Sequence, residues 1–253
     1  MTESNDTQQP KQFNILLIGD DCTDVYQYGV VDRISPEAPV PIFKLVYEER
    51  KPGMAHNVMK NLEALGCDVT YLATKESSTK TRLIDIRSKQ QIVRIDNDAR
   101  PQPISFDTAI PPVYDAIVIS DYDKGSVTYE LIEKLRKEFK GPVFVDTKKT
   151  DLARFEDCIV KINQSEYERA VTFASDMIIT QGSQGALYQG DLILGVKVDV
   201  VDVCGAGDTF LSALVYKSLE SGNLKDAISF ANRASAVTVQ HIGVYAPTLE
   251  EIA

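Results

Sequence analysis

From residue 114 onward the chain repeats one unit: a short apolar, β-branched run, a turn, then a stretch with helical spacing. "YDAIVISD" (114–121) leads to "SVTYELIEKLRKEF" (126–139), which opens at Ser126, and "PVFVDT" (142–147) leads to a polar turn. "CIVKIN" (158–163) then runs into a short helix. Parallel strands need a long crossover between them, usually a helix, so this rhythm restricts the chain to a mainly parallel, doubly wound α/β sheet covered by helices. "FNILLIGD" (13–20) and "DVTYLAT" (68–74) extend that sheet toward the N-terminus. Between them "MAHNVMKNLEALGC" (54–67) is helical, with Val58, Leu62 and Leu65 on one face and Gly66 as its stop. Further strands are expected at 176–182, 185–191 and 192–203, and helices at 207–221 and roughly 225–240.

Two segments break the rhythm. Residues 38–53 alternate loosely between prolines and read as an edge strand or hairpin. Residues 80–98 are two alternating runs around "RSKQ", a second hairpin. Together they are expected to form a separate small β sheet, a lid. Residues 1–12 are polar and read as a disordered tail, which leaves 13–253 as a single domain.

Open α/β sheets bind ligands beyond the C-terminal ends of their strands. Polar residues follow six strand runs here: Asp20, Asp21 and Asp24; Asp121 and Lys124; Asp146 and Lys148; Asn163 and Glu166; Thr180 and Gly182; and Gly205 to Asp208. The last group sits in "VDVVDVCGAGDTFLSALVYKSLESG", where Val198–Val203 reads as a strand and the helix begins at the glycines. Asp208 there can be an ordinary helix cap. The same turn can instead present bare N–H groups to a phosphate, with Asp208 as base for a hydroxyl beside it. Asn163 and Glu166 have the spacing of a capping box and are also apt oxygen donors for Mg2+.

The formal charge of −10 argues against a nucleic-acid or anionic-membrane partner, so cations for a phosphate ligand have to be gathered locally. The four cysteines are scattered without a CxxC pair and read as reduced thiols of a cytoplasmic protein. The two histidines, His56 and His241, lack metal-ligand spacing. No run is apolar and long enough to span a membrane or to read as a signal peptide.

With these motifs in order, the sequence resembles the ribokinase-like (PfkB) carbohydrate kinases. Their signature D-x-x-G-A-G-D-x-F stands intact from Asp202 to Phe210. "KPGMAHNVMKNLEALG" resembles their N-terminal signature, with Gly53, Asn57 and Gly66 in place, and "KINQSEYE" their Asn-x-x-Glu. "ITQGSQGALY" resembles their nucleotide strand pair, and "FANRASAVTVQHIG" their final helix. Within the family, "IGDDCTDVYQYGVVDRISPEAPVPIFK", "STKTR", "SDYDKG" and "DTKKTD" resemble the D-glycero-β-D-manno-heptose-7-phosphate kinases. Three features depart from the pattern. Met54 replaces the second Gly of a Gly-Gly pair, and both the connection "VTYLATKESS" (69–78) and "RAVTFAS" are shorter than usual.

The resemblance implies a ribokinase-like fold and an ATP-dependent sugar kinase, with ATP as co-substrate and Mg2+ as cofactor. It implies Asp208 as catalytic base, with Gly205, Ala206 and Gly207 holding the transferring phosphoryl group. It implies Asp24, Gly53 and Asn57 at the sugar, and Asn163, Thr180, Gly182, Gly185 and Asn232 at the nucleotide. Asn163 and Glu166 would organise the metal. Lys80, Arg82, Arg94, Lys124 and Lys148 are the candidate anion binders. The acceptor it implies is a heptose 7-phosphate, phosphorylated at its anomeric hydroxyl. Another sugar or sugar-phosphate kinase of the family, or a non-catalytic sugar- or nucleotide-binding homologue, stays open. The two lid hairpins, with exposed edges, are expected to join two copies as a homodimer.

Overall fold

A computed structural model describes residues 12–74, 77–105 and 110–253; the expected tail at 1–12 lies almost wholly outside the described residues. The first βα unit runs β1 (Asn14–Gly19), β2 (Asp21–Ile34), β3 (Pro41–Met54), α1 (Ala55–Ala64) and β4 (Asp68–Leu72). Next come β5 (Ser78–Asp85), β6 (Gln91–Asn97), β7 (Ala116–Asp121), α2 (Tyr129–Glu138), β8 (Val143–Thr147) and β9 (Ile159–Asn163). α3 (Gln164–Arg169), β10 (Met177–Thr180), β11 (Gly185–Tyr188), β12 (Asp191–Leu194), α4 (Ala206–Ser221), α5 (Leu224–Thr238) and α6 (Leu249–Ile252) complete the chain.

Eight strands form the main sheet in the order β12-β11-β10-β9-β8-β7-β1-β4. From β10 through β4 every pairing is parallel, and β11 and β12 add an antiparallel edge. The expected doubly wound α/β architecture is therefore present. Period-two alternation divides the core. Ile15 and Leu17 of β1 pack with Val58, Leu62, Leu211 and Ala231 on one face, while Leu16 and Ile18 pack with Leu131, Ile132 and Phe155 on the other.

A separate four-stranded sheet, order β3-β2-β5-β6, contains the two segments expected to form a lid. β5 and β6 form the expected hairpin, and β3 is the expected edge strand. Pattern reading does not anticipate β2, fourteen residues long at the centre of this sheet. Its side chains are mostly half-buried, and "DCTDVYQYGVVDRI" carries no apolar stripe, because no helix covers the outer part of the lid among the described residues.

Two other expectations are corrected. α2 begins at Tyr129 with Thr128 as its cap, the Thr128 hydroxyl accepting from Leu131 N, while Ser126 bonds Asp20 instead. The strand expected over 192–203 ends at Leu194; residues 195–203 form no strand, and Val200, Val201 and Val203 are exposed. β-branched residues favour a strand only where a neighbour offers a ladder. Among the described residues no strand pairs with this segment, and Asp202 turns it by accepting from Cys204 N at 3.0 Å and Gly243 N at 2.8 Å.

Among the described residues no helix is long and apolar enough to cross a membrane.

Candidate active site

The parallel strands β1, β7, β8, β9 and β10 end on one side of the sheet, and each brings a polar group there. α4 begins beside them. Its N-cap, Gly205, has φ +79°, a left-handed conformation that glycine adopts freely. A Cβ at Gly205 would also stand 3.0 Å from Asn57 Nδ2. No side chain caps this helix end. Ala206 N donates to the Val203 carbonyl at 3.3 Å, which leaves the Gly207 and Asp208 amides of the first turn to face an anion, and the helix dipole favours one there.

Asp208 lies in that first turn and is buried. Asn57 Nδ2, from α1, donates to Oδ2 at 2.8 Å, and the Tyr122 hydroxyl, just past β7, donates to Oδ1 at 3.1 Å. Burial pushes the Asp208 carboxyl up to about 6; Asp146 adds to the rise, while the Asn57 and Tyr122 bonds and Lys161 oppose it. Such a group is ionised at neutral pH yet basic enough to accept a hydroxyl proton. The motif spacing puts Asp208 at a helix start, and it lies in the first turn of α4; its partners come from distant segments.

Lys161 is the cation of this corner. It is 4% exposed, its ammonium 2.7 Å from Asp146 Oδ2 and 3.2 Å from where a Gly207 Cβ would lie. Burial disfavours its charge, but Asp146, Glu166 and Asp208 outweigh that and raise its pKa. Burial likewise raises the Asp146 carboxyl, against the pull of Lys161.

A cavity of about 150 Å³ joins these groups, lined by Tyr122, Asp146, Lys161, Glu166, Gly207 and Asp208 among others. A shallower hollow of about 460 Å³ adjoins it through Asn163 and is lined by Thr180, Gly182 and Ser183. The expected residues Gly205, Gly207, Asp208, Asn163, Glu166, Lys148, Thr180 and Gly182 thus border two contiguous spaces.

Other expected residues are engaged in ways the sequence left open. Asn163 and Glu166 make the capping box of α3: Asn163 Oδ1 accepts from Glu166 N at 2.9 Å and Glu166 Oε2 from Asn163 N at 2.8 Å. Glu166 Oε1 pairs with Lys148 at 3.0 Å. Asp24 pairs with Arg82 across β2 and β5 at 2.5 Å, and a Cβ at Gly53 would run into the Asp24 carboxylate. Met54, buried with φ 51°, holds a left-handed conformation where the family pattern has glycine.

Arg94 and Lys124 are spent on Asp96 and Asp98, at 2.8 Å and 2.7 Å. Asn232 donates to the Ile193 and Leu194 carbonyls, tying α5 to β12. Gly185, with φ +109°, lets β11 approach β12, where a Cβ would strike the Ile193 carbonyl. Lys80 makes no ion pair among the described residues, and its ammonium lies 5.4 Å from the Tyr122 ring centre.

Sequence reasoning named neither Tyr122 nor Lys161. The signal for Lys161 was a lysine inside an otherwise apolar strand, "IVKIN", where a charge has to be paired. Among the described residues no cluster of three or more His, Cys, Asp or Glu could hold a metal by itself.

Comparison with known proteins bears on this geometry. Residues 51–252 match the family described as pfkB family carbohydrate kinase. The chain is 34% identical to the bifunctional protein HldE of a Nitratiruptor species, the match covering 94% of this chain and 64% of that protein. It is 31% identical to the bifunctional protein HldE of a Helicobacter pylori strain, covering 94% of this chain and 65% of that one. The chain thus spans just under two thirds of the length of these relatives. Among solved structures, the ribokinase of Thermotoga maritima superposes with TM-score 0.72 at 16% identity, covering 95% of this chain and 98% of that one. Arabidopsis thaliana ribokinase complexed with ribose and ATP superposes with TM-score 0.70 at 15% identity, covering 96% and 98%.

Proposed function

The chain belongs to the pfkB family of carbohydrate kinases, and on that premise we propose that it transfers the γ-phosphoryl group of ATP to a sugar hydroxyl. The observation that carries this reading is Asp208: buried, held through both oxygens, in the uncapped first turn of α4 beside Lys161. In the proposed step the acceptor hydroxyl gives its proton to Asp208 as its oxygen bonds to the γ-phosphorus. The bond from that phosphorus to the bridging oxygen breaks, and its electron pair leaves on ADP. The Gly207 and Asp208 amides and the Lys161 ammonium stabilise the charge on the transferring oxygens. The hollow beside Thr180 and Gly182 takes the nucleotide.

Mg2+ prefers oxygen donors and keeps waters. Glu166 and Asp146 supply carboxylate oxygens at the cavity, but Asn163 and Glu166 are tied into their capping box. The donor set therefore fits an ion that arrives on the nucleotide phosphates and is held through water, with Asn163 and Glu166 behind it. When bound, that ion would neutralise phosphate charge.

The acceptor we infer is a heptose 7-phosphate, taken at the anomeric hydroxyl. The resemblance of the β2, "STKTR", "SDYDKG" and "DTKKTD" stretches supports it. Lys80, unpaired among the described residues at the lid, supplies a cation for the acceptor's own phosphate. A second reading, a smaller sugar or sugar phosphate, is favoured by Met54, a buried side chain that directly follows Gly53, the glycine against the Asp24 carboxylate. The deciding experiment is ATP turnover by the purified chain with heptose 7-phosphate, free heptose and fructose phosphates at equal concentration. Preference for the heptose phosphate supports the first reading, and preference for a smaller sugar supports the second.

We also infer a homodimer through the lid. Its edge strands β3 and β6 expose Leu45, Val46, Tyr47, Val93 and Ile95, and open edges pair readily. Light scattering at micromolar concentration tests this; a monomer counts against it.

A further inference from the structure

Tyr122 stands where three parts of the site meet. Its backbone is pinned by the buried Asp20: Oδ2 accepts from Tyr122 N at 2.7 Å and Lys124 N at 3.2 Å, and Oδ1 accepts from the Ser126 hydroxyl. Its own hydroxyl donates to Asp208 Oδ1 at 3.1 Å, opposite the Asn57 bond to Oδ2. Two ammonium groups lie near its ring, Lys80 of lid strand β5 at 5.4 Å and Lys148 beyond β8 at 5.0 Å.

A carboxylate held by one donor can turn about its Cβ–Cγ bond. With a donor on each oxygen it cannot turn without breaking one, and its free lone pairs keep a fixed aim. A tyrosine serving only as filler would need no carboxylate partner, since phenylalanine fills the same space. The ring face offers a cation an attractive seat, and the lid's Lys80 uses it.

We propose that Tyr122 is a positioning residue for the phosphoryl transfer: its hydroxyl aims Asp208 at the acceptor's proton, and its ring, which lines the cavity, seats Lys80 beside it. The proposal rests on the kinase reading of the site. Burial and the Asp208 charge push the Tyr122 phenol well above its ordinary pKa, so it stays a donor across the working range.

The groups facing Asp208 are Asn57 from α1, Tyr122 after β7, Asp146 from β8 and Lys161 from β9. Glu166 of α3 acts on Asp146 and Lys161, and Lys80 and Lys148 lie near the Tyr122 ring. Tyr122→Phe removes one donor and leaves every one of these charges in place.

The test is a titration of the Asp208 carboxyl by carbon-13 NMR in the full chain, wild type against Tyr122→Phe, with Asp208→Asn to assign the signal. The midpoint should move upward by about one pH unit in Tyr122→Phe. At pH 8, where both carboxyls are ionised, kcat should fall about 10-fold with KM for ATP unchanged. An unmoved midpoint, or an unchanged kcat in an active enzyme, overturns the aiming role. Tyr122→Leu, which also removes the ring, should raise KM for a phosphorylated acceptor at least about 3-fold above that of Tyr122→Phe. Equal values overturn the seating of Lys80. The titration needs no acceptor, so a wild-type chain that phosphorylates nothing sinks the kinase reading separately from the hydrogen bond.

Discussion

Replacing Lys161 by Met keeps the length of the side chain and removes its charge. Lys161 is 4% exposed and its ammonium is 2.7 Å from Asp146, a half-buried residue on the cavity wall, so the variant leaves Asp146 without its cation. Breaking a buried pair by deleting one partner costs about 3–5 kcal/mol. That is a large part of the roughly 5–15 kcal/mol that holds a domain folded. For a chain of this size it lowers Tm by roughly 6–20 °C. The loss should depend on pH. Burial already raises the Asp146 carboxyl above its ordinary value, and without Lys161 it rises further. The folded variant then holds a proton that the unfolded chain releases, so stability is greatest below the unfolded value near 4 and falls as pH climbs through the raised one. Denaturant melts at pH 5 and pH 7.5 read this directly: Lys161→Met should lie closer to wild type at pH 5. Adding Asp146→Asn should recover at least about half of the loss, because no charge is then stranded. Turnover should stay roughly 10²–10³-fold down in both variants, since neither has the cation beside the anion turn. Wild-type stability for Lys161→Met at pH 7.5, or no recovery in the double variant, would refute the reasoning.

Three further outcomes are expected. Because burial holds the Asp208 carboxyl at about 6, kcat should fall as pH drops through that value, and a flat profile between about pH 5 and 8 counts against it as the base. Met54→Gly relieves a left-handed backbone worth about 1–3 kcal/mol but removes a buried side chain worth about 2–5 kcal/mol, so denaturant melts should show a modest net loss. Its KM for the acceptor should fall, and an unchanged KM would mean that Met54 does not border the sugar. Lys80→Ala should raise KM roughly 10–100-fold for a phosphorylated acceptor and leave the free sugar unaffected; equal effects on both would remove the phosphate from Lys80.

What was legible in the sequence was local. The glycine turn and Asp208 are contiguous, and a helix start is written in a few neighbouring residues, so the start of α4 could be read from the motif. The βα rhythm specified the main sheet because both of its faces are buried, which forces apolar strands. The lid's β2 was not legible, since a half-buried strand in a sheet whose edge strands β3 and β6 are mostly exposed needs no apolar pattern. Val198–Val203 misled in the opposite way: its composition favours a strand, but strand formation is a property of pairs and no described strand pairs with it. Asn163 and Glu166 satisfied two readings by spacing, and the structure realises the capping box. The bonds from Asn57 and Tyr122 to Asp208 span 151 and 86 residues, so only the tertiary fold could bring them together.

The central claim is that Asp208, set in the amide turn of α4, is the base of a sugar kinase. It is tested most directly by sugar-dependent ATP turnover of the purified wild-type chain and of Asp208→Asn, with thermal melts of both. The account predicts turnover in the wild type and a fall of roughly 10²–10⁴-fold in the variant. Because burial raises the Asp208 carboxyl above its ordinary value, removing its charge should leave Tm at pH 8 equal or higher. An Asp208→Asn chain that turns over near the wild-type rate, with its fold intact, would contradict it.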